Sequence, residues 1–117
     1  MRREPKIRVR EGSNAVTIDI QGDLIASAEK DMDAAYQKAC EYNPSNIILK
    51  FGGKTHINST GIAIVTNLLI DGRKKGCRMF VAGLPGHYKK IFEMSGLTKY
   101  TTIIESEDEI TDEEDAE

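Results

Sequence analysis

Asn46-Ile47-Ile48-Leu49-Lys50-Phe51 is the segment that most constrains how this chain can fold. Its apolar residues are nearly continuous, so both faces of an extended strand there would need cover. A strand buried on both sides belongs at the centre of a sheet with structure packed above and below it. The segments around it alternate between strand and helix patterning. Ile7 and Val9 alternate with charged residues, Glu11-Gly12-Ser13-Asn14 supplies turn chemistry, and Val16, Ile18 and Ile20 alternate again. Two strands joined by such a short loop predict an antiparallel hairpin. Met32, Tyr36, Ala39 and Cys40 form one helical stripe, with Ser27 as its expected N-cap and Asn43-Pro44 as its stop.

After the central strand, a loop from Gly52 to Asn58 leads to a helix from Ser59 to about Lys74, ended by Gly76. Its apolar residues Ile62, Ile64, Val65, Leu68, Leu69 and Ile70 exceed one stripe, so the helix lies deep or shows part of its surface to a partner. Cys77, Met79 and Val81 then alternate with Arg78 and Phe80, which predicts another strand. Pro85 suits a first helical turn, and Tyr88, Ile91 and Phe92 are expected to share a face of that helix. Gly96 with Leu97 behind it reads as the helix stop, and Thr101 to Ile104 as an edge strand. The order β-β-α-β-α-β-α-β predicts a single α/β domain: a mixed four- to five-stranded sheet with helices packed on it and a hairpin near one edge.

The net charge of −3 hides an asymmetry. Residues 106–117 hold eight acids and no base, which leaves 16 basic and 11 acidic side chains on the other 105 residues. The expected division is a domain over 1–105 and a solvated acidic tail over 106–117, with Ser106 as a candidate cap of a short helix at its start. The basic residues lack interleaved aromatics, so nucleic-acid binding is not expected. No apolar run is long enough to cross a membrane, and the basic N-terminus is not followed by an apolar signal-peptide core. Cys40 and Cys77 lack CxxC spacing and read as buried, reduced thiols of a cytoplasmic protein.

Enzymatic motifs fail one by one. Gly53-Lys54-Thr55 lacks the first glycine of a phosphate-binding loop, which would fall at position 48, where Ile48 stands. Ser59 has no nucleophile elbow, and His56 and His87 have no metal-ligating neighbours at useful spacing. Neither catalysis, a cofactor nor a metal is expected. What remains is His56-Ile57-Asn58-Ser59-Thr60-Gly61, a helix start where either Asn58 or Ser59 can be the N-cap. Free backbone N–H groups and the helix dipole make that terminus ready for an anion, and a phosphoryl group on Ser59 would land there.

The chain resembles the STAS domain of bacterial anti-sigma factor antagonists. The family carries Asp-Ser-(Ser/Thr)-Gly at the start of its second helix, and Asn58-Ser59-Thr60-Gly61 stands in that place. Gly76-Cys77-Arg78-Met79 is similar to its G-x-x-L element, Ile91 to Leu97 to its (L/I)-F-x-x-x-G-L segment, and Gly22-Asp23-Leu24-Ile25 in part to its G-x-L-D element. The likeness runs from about residue 6 to 112. It implies an antagonist that binds a serine-kinase anti-sigma factor when unmodified, is released on phosphorylation of Ser59, and is reset by a PP2C-type phosphatase. Thr60 ranks second as acceptor, with Asn58, Gly61 and Asp23 flanking the site and Thr66, Asn67 and His56 in the docking face. Two family aspartates are replaced, by Asn58 and Ile25. A STAS module that scaffolds a signalling complex without switching is the alternative reading.

Overall fold

The computed structural model describes residues 6–110. Its strands are β1 (Lys6–Glu11), β2 (Val16–Gln21), β3 (Asn46–Phe51), β4 (Arg78–Ala82) and β5 (Thr102–Ile104), and its helices are α1 (Glu29–Cys40), α2 (Ser59–Lys74) and α3 (Gly86–Met94). The five strands form one sheet in the order β1-β2-β3-β4-β5. β1 and β2 form the expected antiparallel hairpin, and β2 to β5 run parallel. Parallel neighbours added in one direction by crossovers of one hand place every connecting helix on the same face of the sheet. The main core bears this out: Met32, Tyr36 and Ala39 of α1, Val65 and Leu69 of α2, and Phe92 of α3 pack there with Ile18, Ile47, Leu49 and Val81.

The opposite face explains why β3 is apolar throughout. Ile48 of β3 meets Phe80 and Ala82 of β4 and Ile104 of β5 in a second, smaller cluster, closed by Ile110. Phe80 is buried at 5% exposure on this face, because residues beyond β5 cover it. Burying an Ile or Phe side chain contributes about 1.5–3 kcal/mol, which offsets part of the entropy of ordering a short covering segment. That segment contains a 3₁₀ turn over Glu107–Glu109. The Glu107 carboxylate accepts from Arg10 and from Lys50, each at 2.9 Å, and Asn14 Nδ2 donates to the Ile110 carbonyl at 3.0 Å. Glu109 Oε2 accepts the backbone N–H groups of Glu105 and Ser106, the reach-back half of a capping box. The folded body thus continues past position 105 to Ile110, and the rest of the acidic run lies outside the described residues.

Three local expectations need correction. Ser27 does not cap α1: it lies inside a 3₁₀ turn over Ala26–Ala28, and the N-cap position is Ala28, with no side-chain bond. Pro85 precedes α3 as its N-cap rather than forming its first turn. On the shared face of α3, Tyr88 and Phe92 are buried, and Ile91 at its edge is 38% exposed. The thiols are both free, but only Cys77 is buried. The two glycine stops stand as expected, Gly76 and Gly96 having positive φ of 89° and 79°.

Candidate functional site

The site is built where the loops after β2 and β3 meet. Leu24 and Ile57 form an isolated parallel bridge. The Leu24 N–H donates to the His56 carbonyl at 2.7 Å, and the Asn58 N–H approaches the Leu24 carbonyl at 3.4 Å. From the other side, the Ile57 N–H donates to the Tyr88 hydroxyl of α3 at 2.9 Å. The residue on which α2 begins is thereby held from two directions. Asn58 has extended backbone (φ −92°, ψ −176°), and its side chain accepts from the Gly61 N–H, Oδ1 to N 2.8 Å. The cap is therefore Asn58, the first of the two candidates, and Ser59 is the first helical residue.

This assignment matters chemically. The Asn58 side chain satisfies the Gly61 N–H and its carbonyl accepts from Ile62 at 2.9 Å, so the cap leaves the Ser59 and Thr60 amides without a partner among the described residues. The Ser59 and Thr60 side chains are both exposed. An accessible hydroxyl therefore stands over two unused donors at the positive end of a 16-residue helix. Gly61 is buried because α2 starts against the Leu24 backbone. A Cβ at position 61 would lie 2.1 Å from the Leu24 carbonyl oxygen and 2.9 Å from Ile57 Cγ2, so only glycine fits.

The other expected residues are distributed unevenly. Asp23 directly precedes Leu24 in the clipped loop and is half-buried, with Oδ1 enclosed and lacking a hydrogen-bond partner. His56 projects an exposed side chain from the loop before the cap. Asn67 is exposed two turns along α2, whereas Thr66 is half-buried and its hydroxyl donates to the Ile62 carbonyl at 2.7 Å. The outward stripe of α2 is Ser59, Ala63 and Asn67, at spacing of four, edged by half-buried Ile62 and Ile70. The apolar excess of this helix was the sequence signal for that edge, although Ala63 itself carried none. Tyr88 was read only as core. Its second role, holding Ile57, joins residues 31 apart and has no sequence signature.

α2 is steadied along its length. Tyr36 of α1 donates to Asp71 at 2.6 Å. Burial and then this bond push the phenol well above its ordinary range, while the same bond, with Lys75, holds the Asp71 carboxyl below its own. Among the described residues no group of His, Cys, Asp and Glu could hold a metal ion, and no helix is long and apolar enough to cross a membrane.

The STAS domain profile matches residues 6–110. Among solved structures, an anti-sigma factor antagonist from Mycobacterium paratuberculosis superposes with a TM-score of 0.75 at 12% identity, covering 91% of this chain and 90% of that one. The anti-sigma factor antagonist SpoIIAA in its unphosphorylated form gives 0.69 at 20% identity, over 89% of this chain and 91% of that one. The Bacillus cell fate determinant SpoIIAA in its phosphorylated form gives 0.64 at 18%, over 89% and 95%. Identities this low establish a common fold. With a family match across nearly the whole chain and the same single-domain architecture, the chain belongs to the STAS domain family.

Proposed function

We propose that this protein is an anti-sigma factor antagonist, a binding switch with no reaction of its own, controlled by phosphorylation of Ser59. In this reading the unmodified face around Ser59, His56, Ala63 and Asn67 docks on a serine-kinase anti-sigma factor and so frees the sigma factor. The kinase transfers the γ-phosphoryl of ATP to Ser59 Oγ, releasing ADP and the hydroxyl proton, and a PP2C-type phosphatase later hydrolyses the ester. One observation carries the proposal: Ser59 is exposed at the first position of α2, with its own and the Thr60 amide left open by the Asn58 cap. A phosphate there adds about −1.5 to −2 charges and three acceptor oxygens. The open amides and helix dipole accommodate it in the free protein, whereas a partner surface that had packed against a neutral hydroxyl must desolvate a dianion.

A non-switching scaffold is the second reading. It is favoured by the amide of Asn58 and the aliphatic Ile25 standing where the family's two aspartates stand. One experiment separates the two. The protein is incubated with the serine-kinase anti-sigma factor of its own genome and ATP, and intact mass is measured. The switch gives one added phosphate, lost in Ser59→Ala, and Ser59→Asp weakens kinase binding about tenfold or more. Equal labelling of Ser59→Ala defeats the site assignment, and unchanged affinity of Ser59→Asp selects the scaffold.

A further inference from the structure

β1 is an edge strand: it pairs with β2 on one side, and among the described residues no strand lies along the other. Such an edge presents a row of unpaired N–H and C=O groups. Beside it α1 turns a stripe of Asp31, Ala34, Ala35 and Lys38 toward Ile7, Arg8 and Val9, leaving an open groove of about 570 Å³ between helix and edge. The groove exists because Ala34 and Ala35 are too small to close over Ile7 and Val9, which are only partly buried against the main core. It has an apolar floor and one charge of each sign from α1 on its rim.

The strand's two faces are chemically opposite. Ile7 and Val9 point to the helix side, while Lys6, Arg8 and Arg10 project together from the helix-free side. Arg10 is engaged by Asp19 and Glu107. Lys6 and Arg8 are exposed and make no ion pair among the described residues. This pattern disfavours a second copy. A symmetric antiparallel pairing that keeps Ile7 and Val9 on the helix side sets Arg8 opposite Arg8 with Lys6 opposite Arg10, or Arg8 opposite Arg10. Like charges directly opposite one another are destabilising. A strand with acids at every second position, in contrast, meets Lys6 and Arg8 on one face and lays its apolar residues into the groove on the other.

We propose that the β1 edge and the β1–α1 groove form a docking site for an extended partner segment that alternates acidic with apolar residues and adds to the sheet as a sixth strand. This surface is separate from the Ser59 helix start, and its test does not involve a kinase. Three capped hexapeptides serve as probes: alternating Glu and Val, alternating Lys and Val, and the Glu–Val sequence with alternate backbone nitrogens methylated. Binding to the full chain is followed at low salt by NMR titration, and β1 amide exchange by hydrogen–deuterium exchange. The Glu–Val peptide is expected to bind about tenfold more tightly than the Lys–Val peptide, and to slow exchange of the β1 amides that face away from β2. A Lys6→Glu/Arg8→Glu variant is expected to reverse the preference. The methylated peptide, with unchanged charge but half its ladder removed, is expected to lose binding. The proposal is overturned if the Glu–Val peptide does not bind, if charge makes no difference, or if the methylated peptide binds equally. Protection outside β1, or a wild-type dimer paired through β1, likewise overturns it. Should the double variant fail to fold, the methylated peptide on the wild-type chain still decides the matter.

Discussion

Gly61→Ala tests the reasoning about the site most directly, because two opposing effects of known size meet there. In an ordinary helix, alanine in place of glycine gains up to about 1 kcal/mol from propensity. Here the new methyl would stand 2.1 Å from the Leu24 carbonyl oxygen, a backbone atom, and 2.9 Å from Ile57 Cγ2. An ordinary contact needs the first of these to open by roughly 1 Å, and overpacking of this kind costs about 1–3 kcal/mol. The Leu24 backbone cannot swing aside as a side chain could, since it is clipped to both His56 and Asn58. The expected net loss is about 1–2 kcal/mol, or a fall in Tm of roughly 4–8 °C for a domain of this size. Gly72→Ala is the control: its methyl would meet Met79 Sδ at 2.3 Å, the far end of a flexible side chain that can move. Thermal melts and urea unfolding of the two variants give the comparison. If Gly61→Ala is as stable as wild type, or no worse than Gly72→Ala, the docking of α2 on the Leu24 loop has been misread.

Four further outcomes follow from the same structure. Asn58→Ala removes the cap on Gly61 and is expected to cost about 1 kcal/mol in urea unfolding. Asn58→Asp keeps the cap and adds a charge that favours a helix start, for a gain of about 0.3–1 kcal/mol, and in the switch reading it raises the rate of Ser59 labelling. The Glu107 carboxyl is held below its ordinary value of 4.5 by hydrogen bonds from Arg10 and then Lys50. Its folded value is the lower one, so its contribution is complete above the ordinary value and is lost as pH falls through the depressed one. Stability measured by urea midpoint should therefore fall more steeply below about pH 4.5 in wild type than in Glu107→Gln. Ile110→Ala should cost about 2 kcal/mol, at the low end for a buried isoleucine because the covering segment can partly collapse, and a chain unaffected by it would contradict the second core.

The parts of this fold that were legible in the sequence are those where one residue type can serve only one local purpose. The continuous run at Ile47-Ile48-Leu49 required cover on both faces, and Gly76 and Gly96 occupy backbone that other residues adopt at a cost. Asn58 was readable as a cap because its amide oxygen suits the geometry. What escaped depends on residues distant in sequence. The cover over Phe80 went unread because Ile110 lies in an acid-rich stretch whose composition suggests solvent. Helical spacing put Tyr88, Ile91 and Phe92 on one face, but not which of them the core reaches: α3 touches it along a line only wide enough for Tyr88 and Phe92. Ser27 is a fine capping residue that lost its place when the chain entered α1 through an extra 3₁₀ turn. The clip of Leu24, Ile57 and Tyr88 that fixes the Ser59 helix could not be read at all, since its donors and acceptors are mostly backbone groups.

The segment over the helix-free face also sets a timetable. Arg10 and Glu107 are 97 positions apart, and Ile48, Phe80 and Ala82 are sealed only when Ile110 arrives. During synthesis from the N-terminus, at about 5–20 residues per second, the sheet can assemble strand by strand while one side stays uncovered until these last contacts form. That interval is when a nascent chain would show an apolar surface to other chains. A stop or frameshift shortly before residue 110 would make the exposure permanent, yielding a chain with its Ser59 helix start intact and a strong tendency to aggregate.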